Sequence, residues 1–122
     1  MTLPMKYMSF VKGPVVPIEQ IPPSLFAAMD EHIQAAAAKG HFISGGGLWP
    51  SPDSFKMSVR DGKIVITDGP FTESKEVIGG FAIMSYASRE EAVEATRAFI
   101  DLHMKHWPAW EGTSEMHVIV EA

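Results

Sequence analysis

The stretch "GGFAIMSYASREEA", Gly79 to Ala92, changes its hydrophobic rhythm halfway along. Up to Ala87 it is apolar on both alternating faces, which predicts a strand covered on both sides. Ser88 then stands three residues before Glu91, the spacing of a capping box: the hydroxyl accepts the N–H at Glu91 while the glutamate reaches back. A helix is expected from there to about His106. Its buried stripe would be Ala92, Ala95, Thr96, Phe99 and Leu102, with His103 or His106. "EMHVIVEA", Glu115 to Ala122, has the period-two pattern of a strand and would complete a β-α-β unit.

The first half of the chain repeats this order. "MKYMSFVK", residues 5–12, reads as a strand apolar on both faces. Pro14, Pro17, Pro22 and Pro23 are expected to keep residues 13–23 out of regular structure. Ser24 to Lys39 predicts a helix with Leu25, Met29, Ile33 and Ala36 on one stripe, and Gly40 supplies a left-handed stop. "HFISGGGL" reads as a strand that breaks at Gly45, Gly46 and Gly47. No Lys-Ser/Thr follows those glycines, so a bulge or close backbone approach is expected there, not a phosphate cradle. Between the halves, "SFKMSVR" and "KIVIT" flank Asp61-Gly62, a strong hairpin signal.

The order β-α-β, hairpin, β-α-β predicts a single α+β domain over residues 1–122. It would be a ferredoxin-like antiparallel sheet with both helices on one face, the hairpin extending the sheet or covering one end. The strands are apolar on both sides, so the face without helices needs a cover. A second copy of the chain is the simplest one, and a homodimer is expected.

Composition narrows the function classes. The 122 residues are 46% hydrophobic and 20% charged, as in a soluble globular domain. A formal net charge of −5 argues against nucleic-acid binding. No apolar run is long enough to span a membrane. The opening "MTLPMKYMSF" lacks the pattern of a secretory leader, and cysteine is absent. A cytoplasmic protein is expected.

Few residues suggest chemistry. Asp68 ends a strand before Gly69-Pro70, where a carboxylate is held in a fixed turn; it can face a cleft or simply cap the turn. Glu73, Lys75 and Glu76 follow as a charged cluster, either a polar binding group or a solvated loop. His103 and His106, three residues apart on a helix, could grip a divalent ion, but no third ligand and no HExxH pattern accompany them, so no metal and no cofactor are expected. Trp49, Trp107 and Trp110 fall near element ends and could line a pocket for a flat apolar ligand or pack in the core. Ser85 and Ser88 lack a nucleophile-elbow setting.

"DGPF", Asp68 to Phe71, with "TESKE" and "GGF" after it, resembles the signature of the YCII-related family, also called the DGPF family. "MKYM", "GGGL" with Pro50, and the closing "EMHVIVEA" are similar to its pattern as well, so the resemblance covers nearly the whole chain. The second helix runs on into "DLHMKHWPAWEG", which departs from that pattern. The resemblance implies a dimeric α+β barrel and, for the YCII branch, a His–Asp acid/base pair. Here that pair would be His32 on the first helix with Asp68. Two functions follow as expectations. One is a small enzyme acting by hydrolysis, elimination or proton transfer on a small organic molecule, with Phe71, Lys75, Glu76, Trp49, His103 and Trp107 binding it. The other is a non-catalytic small-ligand-binding or regulatory dimer, since relatives are often found beside extracytoplasmic-function sigma factors.

Overall fold

The computed structural model describes residues 3–14, 16–71 and 77–120. The chain runs β1 (Met5–Gly13), α1 (Pro23–Ala38), β2 (Phe42–Gly47), β3 (Phe55–Arg60), β4 (Lys63–Asp68), β5 (Val77–Tyr86), α2 (Arg89–His106) and β6 (Thr113–Val118). Four strands form one sheet in the order β2-β5-β1-β6, and each neighbouring pair is antiparallel. β1 and β2 both oppose β5, so they are parallel to each other and α1 crosses between them. The same holds for β5 and β6 across α2. This is the ferredoxin-like α+β arrangement that the strand and helix order predicts.

Local chemistry accounts for the element ends. Ser88 is the N-cap of α2: its Oγ accepts the N–H of Glu91 at 3.1 Å. The Glu91 carboxylate accepts the N–H of Ala87 at 3.3 Å, one residue before the N-cap, so only the Ser88 half of the expected capping box forms as drawn and the glutamate takes the neighbouring donor. Gly40 closes α1 at φ +78°, the left-handed stop. The start of α1 departs from expectation, because Pro23 is its first residue. The first helical position needs no N–H and suits a φ near −65°, so this proline begins the helix instead of preceding it. Residues 18–20 also wind into a short 3-10 turn within the proline-rich segment.

β2 does not break at its glycines. Gly45, Gly46 and Gly47 pair with Ala82, Phe81 and Gly80 of β5, and the register irregularity lies earlier, between Phe42 and Ser44. Close approach explains Gly45: a Cβ there would lie 2.7 Å from the Phe81 carbonyl oxygen and against the Phe42 ring. Just past β2, the Leu48 N–H donates to the Gly79 carbonyl at 3.0 Å.

The hairpin β3–β4 turns through Asp61 (φ 50°) and Gly62 (φ 74°), both positive as a type I′ turn requires. It makes a two-stranded sheet of its own, hydrogen-bonded to neither edge of the main sheet. At its base the Gly69 N–H donates to the Ser54 carbonyl at 2.6 Å. Phe55, Met57, Val59, Ile64 and Ile66 share one face of the hairpin by register and strand alternation, and all are exposed.

The densest packing sits at one end of the main sheet, where Tyr7, Tyr86 and Ala92 are buried against Met5, Met84, Ala95 and Met116. Elsewhere the helix layer stands off the sheet. Of the large apolar residues, Leu25 is the other one fully buried among those described. The gap between the layers holds a cavity.

Candidate ligand cavity

The space between the helices and the sheet is about 640 Å³. Strand alternation supplies the floor: Ser9 and Val11 point one way from β1, and Ala82, Met84 and Tyr86 of β5 share that side. The α1 stripe of Leu25, Met29, Ile33 and Ala36 forms part of the roof, joined by Ala95, Thr96 and Phe99 of α2. Phe42, Trp49, Trp107 and Trp110 complete an aromatic lining.

Two histidines enter this apolar space. His32 on α1 meets the Phe99 ring, centroids 5.7 Å apart. His103 on α2 lies 4.6 Å from Phe99 on one side and 4.5 Å from Trp110 on the other, so three rings form a continuous wall. Trp110 can take this place because residues 13 and 112 are glycines: a Cβ at Gly13 would lie 2.8 Å from its Nε1, and one at Gly112 would overlap its ring. Removal from water lowers the pKa of both imidazoles below the ordinary value. Lys39 pushes His32 the same way; for His103 the hydrogen bond to the Phe99 carbonyl pulls upward, less than burial lowers it, and His32 adds a smaller downward push. Both rings are therefore neutral at pH 7.

His103 is 3% exposed, and its Nδ1 lies 2.9 Å from the Phe99 carbonyl oxygen. A carbonyl can only accept, so Nδ1 carries the proton and Nε2 presents a bare lone pair. Among the described residues nothing donates to that Nε2. Two other polar groups of the lining are occupied: Thr96 Oγ1 donates to the Ala92 carbonyl at 2.8 Å, and Asp30 accepts from the Gln34 amide at 2.8 Å.

The residues singled out from the sequence separate into groups. His32, His103, Trp49 and Trp107 all line the cavity, Trp49 at its mouth with 51% of its surface exposed. His106 does not join His103; its Nδ1 lies 3.0 Å from Ser24 Oγ and ties the end of α2 to the start of α1. Asp68 is exposed at the end of β4 and is not part of the lining; among the described residues no hydrogen bond or ion pair joins it to His32. Phe71 is half-buried beside the hairpin with the Lys56 ammonium 5.0 Å from its ring centroid. Glu73, Lys75 and Glu76 lie outside the described residues. No group of three metal-ligating side chains occurs among those described, nor does a helix long and apolar enough to cross a membrane.

Sequence reasoning placed Phe99 on the α2 stripe and named His103 as a ligand-binding residue, but missed Phe42 as a cavity wall. The i, i+4 spacing of Phe99 and His103 carried part of the signal; the partner of each ring came from the fold.

A smaller, more open hollow of about 420 Å³ lies at the start of α2, bordered by Lys39, His41, Ser85, Tyr86 and Glu91. There His41 Nε2 stands 3.0 Å from Glu91 Oε1, so Glu91 also bridges to the start of β2.

No curated protein matches the chain in sequence. The YCII-related domain matches residues 5–99, which takes in the main sheet through β5, the hairpin and α2 as far as Phe99, and leaves His103, Trp107 and Trp110 beyond its end. With most of its length covered by that match, the chain belongs to the YCII-related family.

Proposed function

We propose that this protein is a small-ligand-binding domain whose ligand occupies the cavity between the helix layer and the four-stranded sheet. The cavity itself carries the reading. A core of this size normally closes to crystal-like density, and a void of about 640 Å³ between its layers has the dimensions of a small-molecule pocket, roughly 300–1,000 Å³. The lining is predominantly apolar and aromatic with few polar groups, the usual character of such sites.

A neutral apolar fluorophore such as N-phenyl-1-naphthylamine tests this directly. Its emission should rise saturably, with a single site per chain. Ala82→Phe, which fills the cavity from its floor, should abolish that site while circular dichroism stays unchanged. Unaltered saturable binding in Ala82→Phe, or no saturable binding in the parent chain, defeats the proposal.

We further propose that the working unit is a homodimer. The β3–β4 hairpin exposes a continuous apolar face, and the sheet face opposite the helices carries Met8, Phe10 and Ile83. Burial of these surfaces against a second copy would remove them from water. The acid/base reading of His32 with Asp68 makes a further demand on that assembly. His32 is a neutral base facing the cavity, whereas Asp68 belongs to the hairpin sheet. A second chain whose hairpin lies over the cavity mouth would supply the carboxylate.

A further inference from the structure

The binding reading leaves the ligand's chemistry open, and the polar inventory of the cavity narrows it. Among the described residues no lysine or arginine lines the cavity, so an anionic ligand would lose its hydration with no cation from them in return. The one carboxylate of the lining among the described residues, Asp30, is exposed and already held by Gln34. His103 is buried as a residue, and its Nε2 is an acceptor in an apolar lining that takes no donor from the described residues and is not sealed off from the cavity. An open acceptor lone pair in an otherwise apolar lining is the natural anchor for a ligand O–H. Around it the Phe99, His103 and Trp110 rings are spaced 4.5–4.6 Å apart, centroid to centroid, and present aromatic surface on which flat rings pack.

We propose that the cavity takes an uncharged, planar, hydroxylated aromatic molecule whose hydroxyl donates to His103 Nε2 while its rings pack on the Phe99–His103–Trp110 wall. This inference rests on the ligand-binding reading above. The neutral state of both histidines agrees with it, because an imidazolium at position 103 would donate instead of accept. His103 acts here as a selectivity residue, one that chooses the hydroxylated ligand over its bare hydrocarbon.

Equilibrium dialysis of the full chain with three matched probes tests it: phenanthrene, 9-phenanthrol and phenanthrene-9-carboxylate. The phenol should bind about 3- to 10-fold tighter than the hydrocarbon, the yield of one buried hydrogen bond. The carboxylate should bind more weakly than either. His103→Phe should equalise phenol and hydrocarbon, and His103→Gln, which restores an acceptor oxygen, should recover part of the preference. If phenanthrene binds but the phenol has no advantage, or His103→Phe keeps that advantage, this proposal fails and the pocket reading stands. If none of the three binds, both fail. Because His103 is buried, nitrogen-15 NMR of the parent protein provides a readout without substitution. The His103 Nε2 resonance should move upfield on adding the phenol and stay in place with the hydrocarbon; a phenol-insensitive Nε2 overturns the assignment.

Discussion

At the scale of single residues, the two cavity histidines make folding depend on pH in a definite direction. Burial holds both pKa values below the ordinary 6.5, so between that value and the lowered ones the unfolded chain binds more protons than the folded chain. The stabilising contribution is complete above about pH 6.5 and is lost as pH falls through the folded-state values. Urea midpoints should therefore drop as pH falls from about 7 to 5.5, a window above most carboxylate titration. The double variant His32→Gln/His103→Gln should have a flatter profile over that range. An identical slope in parent and variant would remove the histidines as the cause. Residue identity was the least legible level in the sequence. The helical stripe placed Phe99 and the α1 residues inward, but Asp68 and His32 were paired across a fold whose hairpin stands apart. Nothing in a strand-ending aspartate says which sheet that strand will join.

At the scale of elements, local signals sufficed. The Ser88 cap on the Glu91 N–H and the Asp61-Gly62 turn form as their residue chemistry requires, since each depends on backbone groups within four residues. Ser88→Ala should lower stability by about 1 kcal/mol, read from the shift in urea midpoint at constant slope. A shift below a few tenths would mean that the Glu91–His41 contact, not the cap, holds this end of α2. Signals failed where tertiary contact overrides propensity. Three successive glycines read as a break, yet β2 continues through them because β5 presses close enough to exclude a Cβ at Gly45. Two prolines read as a helix barrier, yet the second one begins α1.

At the scale of the molecule, strand and helix order was enough to predict the ferredoxin-like sheet, because two β-α-β units admit few right-handed arrangements. The cavity was invisible at that level: its volume depends on how far the helix layer stands off, which no periodicity encodes. The same scale holds the assembly prediction. An isolated two-stranded sheet is marginal in water, and the exposed side of this hairpin includes Val59 at 76% exposure. Sedimentation should show a dimer for the parent chain, and Met57→Lys/Ile66→Lys, a directly opposed pair on that face, should shift it toward monomer. A monomeric parent chain, or a variant dimer of equal strength, would count against the hairpin as the seam. The bond from Leu48 N–H to the Gly79 carbonyl has a separate meaning for how such a chain can diversify. It fastens the two ends of residues 48–79 together at the rim of the main sheet, so the hairpin is an insertion on a fixed neck. Its length and tip chemistry can be exchanged, as a loop graft would be, without moving the strands that floor the cavity.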